Sequence, residues 1–350
     1  MPVYNGERFL AEAIDSIRGQ TFTDFEFVIV DDGSTDASPA ILADYASRDP
    51  RIRVLRQANA GIVAALNRGL SDCGAPLVAR MDADDISLPP RLERQRAFLE
   101  AHPRVAVVGS SYRLMSDAGA AGPTVRQPAA TSAITKSLRH GNCLAHPTAM
   151  MRRDVIVEIG GYRDFFRHAE DYDLWTRVAE RHEIANLPDC LLKYRVHGGQ
   201  ISWAAAEAQV IGTLAVQGFA RARREYGSEP APLPHAPDRE FLRRVLNVST
   251  DVDYSITASI ANRMDLCRSV GMAEDATLAR EAAKAAIASR HGHMTRRTIA
   301  GILAWQDLRA ALRARKFVTA TWAFVCCGLA VLTDLTLMRA AVRRWGRSGA

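Results

Sequence analysis

Residues 77–90 of the chain read LVARMDADDISLPP, and in this stretch a short apolar run leads into a cluster of carboxylates. The run Leu77–Ala79 predicts the end of a buried strand, because turn-forming residues follow it at once. Residues two apart on an extended backbone point the same way, so we expect Asp82 and Asp84 to present their oxygens to one point. The stretch therefore predicts a strand that delivers carboxylates to a single site.

Asp85 adds a third carboxylate directly after this pair. Acidic groups this close repel one another unless a cation or a set of hydrogen-bond donors balances them. Oxygen ligands suit a hard divalent ion such as Mg²⁺ or Mn²⁺, which would leave coordination positions open for substrate phosphates. A solvated acidic turn that caps a helix beginning near Pro89 is the alternative, and the motif by itself does not decide between the two.

The same order of strand, acidic turn and helix occurs earlier in the chain. Residues 25–30 (FEFVIV) form a β-rich run that stops at residues 31–36 (DDGSTD), and we expect a helix over residues 39–47. This order is typical of the βα unit of a parallel sheet, in which ligands bind at the carboxyl ends of the strands. Capping of the next helix by Ser34 or Asp36 is the alternative role of the turn.

Two further segments extend the pattern. A short strand at residues 53–55 is followed by Asn59-Ala60-Gly61 and a helix to about residue 70. No G-x-G-x-x-G or G-x-x-x-x-G-K-[ST] pattern occurs, which argues against a dinucleotide-dependent oxidoreductase or a P-loop enzyme. The first part of the chain therefore predicts an α/β sheet with polar groups at its strand ends.

The chain begins with residues 1–6 (MPVYNG), which read as the tail of a strand entering a turn, and a helix is expected over residues 7–18. No apolar run stands before this tail, so we expect several residues of the first strand to be missing. The mass of the native protein tests this expectation, because a mass that matches a start at Met1 would contradict it.

Length and composition describe an ordinary globular protein. The chain has 350 residues, 48% hydrophobic and 24% charged, enough for one large domain and a smaller one. Its six cysteines show no C-x-x-C spacing, so neither a zinc site nor a disulfide framework is indicated, and a reducing cytosol fits best. Much of the net charge of +6 lies in the C-terminal third, where it suits an anionic membrane surface at least as readily as nucleic acid.

The region after residue 100 carries the remaining candidate groups. An apolar strand at residues 105–109 is expected to continue to residue 115, and residues 117–131 are expected to form a mobile loop. Glu170, Asp171 and Asp173 precede a predicted amphipathic helix. From spacing alone, acids placed favourably at a helix N-terminus account for them as well as a functional site does.

Four of these segments together resemble glycosyltransferase family 2. They are residues 2–5 (PVYN), 30–36 (VDDGSTD), 59–61 (NAG) and 81–85 (MDADD), in that family's order and spacing. The resemblance covers residues 1–205 or thereabouts. It implies an α/β fold of the GT-A class, the Rossmann-like fold of nucleotide-diphospho-sugar transferases, with an α-helical C-terminal extension in this chain.

The resemblance also implies roles for individual residues. Asp171 matches the general base of an x-E-D element, and Asp84 matches the direct metal ligand, with His197 expected to reach the metal or the diphosphate. His146 and Glu170 are candidates for contact with the acceptor or the diphosphate, and a buried structural role for His146 is the alternative. Asp32 is expected to contact the nucleobase. The other residues expected to line the nucleotide pocket are Pro2, Tyr4, Asn5, Asn59 and Asp82.

The activity so implied is inverting transfer of a hexose from a UDP- or dTDP-sugar to a hydroxyl of a growing cell-surface glycan or a lipid-linked acceptor. Asp171 would remove the hydroxyl proton, a role worth a rate factor of about 10² to 10⁴. A Mg²⁺ or Mn²⁺ cofactor at Asp84 would neutralise charge on the leaving diphosphate. The alternative is a catalytically impaired homologue that still binds nucleotide.

The C-terminal third differs in composition from the rest. We expect a GT-A domain over residues 1–228 (halves 1–100 and 101–228), a Pro-rich linker over 229–237 and a helical region over 238–350. Segment 317–338 carries a single charge between basic flanks and is a candidate interfacial helix. The implied location is cytoplasmic, peripheral at the inner face of a bacterial plasma membrane. A buried helix of a soluble bundle is the alternative.

Three other functions are less well supported. A processive polysaccharide synthase is rejected, because Ala341 stands where Q-x-x-R-W requires Gln before Arg344-Trp345. A nucleotidyltransferase would favour a Gly-rich, basic phosphate loop near the first strand, and the sequence shows none there. Binding to nucleic acid is disfavoured, because aromatic residues in the basic C-terminal third are few and are not interleaved with the basic ones.

Overall fold

The first three strands run parallel, because a helix carries the chain back between each pair. The computed structural model describes residues 1–197, 206–231 and 236–246. The first elements are β1 Pro2–Val3, α1 Leu10–Arg18, β2 Phe27–Asp31, α2 Ser38–Arg48, β3 Ile52–Arg56 and α3 Ile62–Asp72. The strands pair in the order β1-β2-β3. Every residue of β2 is buried, as expected for a strand covered on both faces.

The remaining strands form a second, mixed sheet. They are β4 Leu77–Ala79, β5 Ile86–Ser87, β6 Val105–Ser116, β7 Ala121–Val125, β8 Met150–Arg152 and β9 Glu183–Val196. The order is β4-β8-β6-β9-β5, with β7 paired to β6. β6 and β9 run parallel, and the other pairs are antiparallel. The acidic turn follows β4, and His197 directly follows β9.

Helices α4 to α9 complete the described part of the chain. They are α4 Arg91–Ala101, α5 Thr131–Ser137, α6 Arg153–Glu158, α7 Glu170–Val178, α8 Ala206–Tyr226 and α9 Arg239–Arg244. Residues 1–197 and the described residues from 211 onward belong to one compact unit, in which Phe219 packs edge-on against Phe166. None of the helices in the described ranges combines the length and the apolar content needed to span a bilayer. The domain boundary after residue 228 stays a prediction, and segment 317–338 lies outside the described residues.

Helix α1 shows how sequence periodicity becomes a core. Its buried residues are apolar and recur at helical spacing: Leu10, Ala13, Ile14 and Ile17. They share an apolar cluster with Ile29 of β2. Because burying one leucine or isoleucine side chain contributes about 1.5–3 kcal/mol, this face holds α1 against the strands whose ends carry the candidate site.

Two local expectations differ from the structure. Helix α1 begins at Leu10 rather than at residue 7, because the Gly6 carbonyl first closes a turn by accepting a hydrogen bond from the Phe9 N–H. The stretch 117–131, expected to be a mobile loop, contains β7, whose Thr124 pairs with Arg113 of β6. Gly122 and Pro123 hid this strand in the sequence, since both residues are rare inside strands.

A cavity of about 780 Å³ is lined by residues of both β2 and β4, among them Phe27 and Leu77. Met1 also lines it, and the Met1 ammonium donates a hydrogen bond to the Val28 carbonyl at 2.9 Å. Burial lowers the pKa of this amine to about 6. Among the described residues the two sheets share no backbone ladder, so side-chain packing joins them here.

Asp49 ends α2 and bonds to two arginines. Its buried carboxylate accepts hydrogen bonds from the backbone and side chain of Arg51 and from the Arg18 side chain. The bonds to Arg51 and Arg18 together outweigh the effect of burial and hold the pKa of Asp49 well below its usual range.

We expect Asp49→Asn to lower the free energy of unfolding by about 1–2 kcal/mol at neutral pH, because two cationic donors lose an ionised acceptor. A carboxyl whose pKa is lowered by folding stabilises the protein above its unfolded pKa of about 3.9, and this stabilisation is lost as the pH falls further. Urea unfolding of the wild type and of Asp49→Asn should therefore give free energies of unfolding whose difference shrinks from about pH 5 to about pH 3. Asp44→Asn is the control, because Asp44 and its partner Arg48 are both exposed. An equal loss in the control would contradict the prediction.

Candidate active site

One carboxylate ties the turn after β2 to the segment before α3. Asp32 accepts a hydrogen bond from the Gln57 side chain at 2.7 Å, and others from the Ala60 and Gly61 N–H groups at 2.9 and 2.8 Å. The sequence reasoning selected Asp32 and missed Gln57, whose part in the site depends on this tertiary contact. The two segments predicted to bind nucleotide are therefore hydrogen-bonded to each other.

Residues 2–5 reach the same edge of the first sheet. The Asn5 N–H donates to the Ser34 hydroxyl at 3.0 Å, and Asn5 Oδ1 accepts from the Thr35 N–H at 2.8 Å. Tyr4 is 54% exposed, so it is open to a ligand. The structure brings together Pro2, Tyr4, Asn5, Asp32 and Asn59 at the carboxyl ends of β1, β2 and β3, and their contact with nucleotide stays a prediction.

Three carboxylates meet in the turn after β4. Asp82, Asp84 and Asp85 each offer one oxygen, and these atoms all lie within 4.8 Å of one another. The side chains of Asp82 and Asp84 are 28% and 29% exposed, whereas Asp85 is buried and its Oδ2 has no hydrogen-bond partner within the described ranges. A Cβ placed on Gly6 would lie 3.7 Å from that of Ala83, so the acidic turn adjoins residues 2–5.

The charge of this cluster is only partly balanced. Burial raises the pKa of Asp82, and Arg80, which pairs with it, opposes that shift. Burial, followed by the charges of Asp84 and Asp82, raises the pKa of Asp85 well above its usual range. A divalent cation would favour the ionised carboxylates, and oxygen ligands are those that Mg²⁺ and Mn²⁺ prefer. The residues present therefore fit a hard divalent cation.

The fold brings His197 to this cluster. Its Nε2 lies 3.1 Å from Asp84 Oδ2, and its ring packs against Phe9 with the ring centroids 4.9 Å apart. An imidazole nitrogen and a carboxylate oxygen at this distance share a proton or face a common cation. The two residues that the resemblance assigned to the metal are thus adjacent in space.

Asp171 and Glu170 lie in the first turn of α7, one turn further into the helix than the sequence predicted. The Asn142 amide donates to Asp171 Oδ2 at 2.7 Å, and the Tyr172 N–H donates to Oδ1 at 2.7 Å. Burial raises the pKa of Asp171. Burial and then the charge of Asp171 raise the pKa of Glu170 to about 7, and Glu170 Oε2 is buried with no hydrogen-bond partner in the part of the chain that the structure describes. The pair is therefore a candidate proton acceptor for neutral pH.

His146 lies inside the protein rather than on the surface of the site. Its Nε2 is 2.8 Å from the Tyr162 hydroxyl, and its ring packs against that of Trp175 in a T-shaped contact. Burial, and then the charge of Arg80, lowers the pKa of His146 well below its usual range, so the imidazole is neutral. These contacts describe a packing role, and contact of His146 with an acceptor or a diphosphate stays a prediction.

Two buried arginines support the acidic turn, and the sequence reasoning selected neither. Arg80 pairs with the Asp82 carboxylate. Arg91 donates to the carbonyls of Arg80 at 2.6 Å and Ala149 at 3.3 Å, which joins the end of β4 to the residue before β8. Burial lowers the pKa of Arg91 to about 9. Arginine is almost never fully buried without a partner. The position of Arg80 at the end of an apolar strand is therefore the sequence signal that could have predicted its ion pair.

Known proteins resemble this chain in sequence. A family profile described as Glycosyl transferase family 2 matches residues 1–160. The chain is 34% identical over 227 residues to the O-antigen biosynthesis glycosyltransferase WbnJ of Escherichia coli, covering 64% of this chain and 88% of that protein. It is 34% identical over 204 residues to the amylovoran biosynthesis glycosyltransferase AmsE of Erwinia amylovora, covering 57% of this chain and 76% of that protein.

A solved structure resembles the chain in fold. It is the mannosyltransferase PcManGT of Pyrobaculum calidifontis in complex with GDP-Man and Mn²⁺, with a TM-score of 0.52 at 19% identity. The match covers 95% of this chain and 85% of that one. The predicted class of α/β fold is confirmed.

Gly33 marks a tight backbone approach between the turn after β2 and the segment before α3. It lies at φ +78°, and a Cβ there would stand 2.7 Å from the Asn59 backbone nitrogen. We expect Gly33→Ala to combine left-handed strain of about 1–2 kcal/mol with a backbone clash.

Gly119→Ala is the matched control, because Gly119 has φ +84° and open space around its Cβ position. We expect Gly33→Ala to lower the free energy of unfolding by about 1 kcal/mol more than Gly119→Ala does, as measured by urea denaturation. Equal losses in the two variants would show that the approach to Asn59 is not tight.

Proposed function

This chain belongs to glycosyltransferase family 2, and we propose that it moves a sugar from a nucleoside diphosphate to an acceptor hydroxyl with inversion at the anomeric carbon. That it is a glycosyltransferase follows from its family and relatives. The observation that carries the finer proposal is the 3.1 Å approach of His197 to Asp84 in a turn that adjoins residues 2–5.

The donor is proposed to be a UDP- or dTDP-sugar. Asp32 would accept a hydrogen bond from the nucleobase, since the N–H groups of Ala60 and Gly61 already fix the orientation of its carboxylate. The exposed ring of Tyr4 would pack nearby. Asp82 would lie nearer the ribose, with Pro2, Asn5 and Asn59 completing the pocket. The solved relative holds GDP-Man, so guanosine diphosphate is included in the test.

The cofactor is proposed to be Mg²⁺ or Mn²⁺, held by Asp84 and His197. When bound, a divalent cation acts as a Lewis acid that neutralises charge on the leaving diphosphate. Asp82 is already paired with the buried Arg80, whereas Asp84 meets an imidazole, so Asp84 is the more available carboxylate. Asp85 would hold the turn in place rather than meet the cation, since it is buried and its carboxylate accepts a hydrogen bond from the Arg195 N–H.

Asp171 is proposed as the general base. It would take the proton of the acceptor hydroxyl while the oxygen attacks the anomeric carbon from the side opposite the diphosphate. Asn142 would hold the receiving oxygen in place, and the raised pKa brings the carboxylate closer to the operating pH, where a general base is most effective. One base and no covalent intermediate account for inversion.

Glu170 is proposed to contact the acceptor or the diphosphate. Its buried Oε2 has no hydrogen-bond partner among the described residues, so a ligand hydroxyl would satisfy it. A pKa of about 7 leaves this carboxyl able to donate or accept near neutral pH. His146 would act indirectly, through its bond to Tyr162.

The acceptor is proposed to be a cell-surface glycan or a lipid-linked precursor of one. Two relatives bear names that place them in O-antigen and amylovoran biosynthesis. Attachment to the inner face of the membrane through segment 317–338 is part of this proposal, supported by the basic flanks of that segment in the sequence.

We expect Asp171→Asn to keep nucleotide binding while turnover falls by about 10² to 10⁴, because the amide cannot accept the hydroxyl proton. Turnover is measured as nucleotide released from the donor sugar in the presence of membrane-extracted acceptor. Because the ionised form acts, activity should fall as the pH drops through the raised pKa of Asp171.

Asp164→Asn is the control for this experiment, because Asp164 is exposed and bonds to Arg167 three residues on. Normal turnover is expected in the control. If Asp171→Asn also turned over donor at the normal rate, Asp171 would not be the base.

Thermal unfolding with UDP, dTDP, GDP or ADP, each with and without Mn²⁺, should identify the donor class. Ligand at about a hundred times its dissociation constant adds roughly 2.7 kcal/mol, a shift on the order of a few degrees. We expect one nucleotide to give a shift that depends on Mn²⁺ and is lost in Asp84→Asn. No shift with any nucleotide would contradict the proposed pocket, and a shift without any turnover would support the catalytically impaired homologue.

A further inference from the structure

Arg195, the penultimate residue of β9, is almost completely enclosed, with 1% of its side chain exposed. No role was assigned to it from the sequence, where it is one of many arginines. In the described part of the chain, its guanidinium reaches the acidic turn and the segments that contain Asp117 and Glu12. The contacts are to the Asp84 carbonyl at 2.7 Å, the Asp117 carbonyl at 3.1 Å and Glu12 Oε2 at 2.7 Å.

Its place in the sheet explains the contact with the acidic turn. β5 and β9 are antiparallel, with Ile86 opposite Lys193, so stepping two residues in opposite directions puts Asp84 opposite Arg195. The backbone pairing of β5 with β9 stops at Ile86, and beyond it the two segments are joined by bonds between side chains and backbone. The Asp85 carboxylate accepts from the Arg195 N–H at 2.8 Å, and Arg195 Nε donates to the Asp84 carbonyl.

These two bonds from Arg195 engage the Asp85 carboxylate and the Asp84 carbonyl, so they fix the backbone of Asp84 without occupying its carboxylate. The contrast with Arg80 is direct, because Arg80 bonds to the carboxylate of Asp82 itself. Asp84 Oδ2 is instead turned toward His197, 3.1 Å away.

Arg195 also supports His197 through an aromatic ring. Its guanidinium carbon lies 4.3 Å from the centroid of the Phe9 ring, close enough for a cation–π contact. The same ring packs against the His197 imidazole. The Arg195 guanidinium therefore contacts the backbone of Asp84 and the ring that packs against His197, the two residues proposed to hold the cation.

We infer that Arg195 is a positioning residue that sets the Asp84 carboxylate and the His197 imidazole at the spacing a divalent cation requires. The inference rests on the proposed cation site. Loss of a residue that orients metal ligands typically lowers metal affinity by roughly 10–100-fold. A residue that only stabilised the fold would lower stability without this loss.

The test is Mn²⁺ binding by the full chain, followed as the loss of the free-ion electron paramagnetic resonance signal, with Mn²⁺ alone and with Mn²⁺ plus UDP. We expect Arg195→Met to bind Mn²⁺ roughly 10–100-fold more weakly and Arg195→Lys to lie between it and the wild type. Raising the Mn²⁺ concentration by the same factor should restore full occupancy.

Two controls separate positioning from general stability. Arg177→Met removes another largely buried arginine that holds backbone carbonyls, those of Ile159 and Gly161, so it should lower stability and leave Mn²⁺ affinity within about threefold. Glu12→Gln removes the partner of Arg195 that is 58% exposed, and it should also leave the affinity nearly unchanged.

Wild-type affinity in a folded Arg195→Met, or an equal loss in Arg177→Met, would overturn the inference while leaving the proposed cation site intact. Absence of Mn²⁺ binding by the wild type, with or without UDP, would overturn both. If Arg195→Met does not fold, Arg195→Lys and Phe9→Leu replace it, and unchanged affinity in both would overturn the inference.

Discussion

Electrostatic repulsion in the turn after β4 is the constraint on which the site depends. Three carboxylates offer oxygens within 4.8 Å of one another in a partly buried turn, an arrangement that burial and mutual charge both disfavour. Two enclosed arginines, Arg80 and Arg195, support this turn. Arg80 pairs with a carboxylate, while Arg195 secures the backbone and is itself held by two further segments. The turn, β9 and α1 are thereby fixed to one another by charge as well as by apolar packing.

Much of the fold and of the site was predictable because an apolar run followed at once by acidic residues marks the end of a strand. Apolar runs predicted strands at β2 and β4. The acids that follow these runs could be selected as candidate site residues without tertiary information. Asp32 was chosen in this way, and the structure shows it bonded to the segment before α3. The pairing of Asp84 with His197 came from family resemblance, since the two residues are 113 positions apart and share no sequence pattern.

The rest could not be predicted, because the residues concerned acquire their roles through contacts made only in the fold. Arg195 resembles any other arginine until the β5–β9 register sets it opposite Asp84. Gln57 and Asn142 are polar residues of connecting segments, a type too common to carry a signal. β7 was not predicted for a different reason. Its Gly122 and Pro123 are typical of a loop, and the strand forms only through its pairing with β6.

The partners of the two groups of acids match the chemistry proposed for each. Asp82 pairs through its carboxylate with the cationic Arg80, whose charge opposes the effect of burial and favours the ionised form that a cation site needs. Asp171 instead accepts its side-chain bond from the neutral Asn142. A guanidinium in that position would hold the carboxylate ionised so firmly that it would be a weak base. The amide fixes the same oxygen while burial still raises the pKa, so orientation and basicity are obtained together.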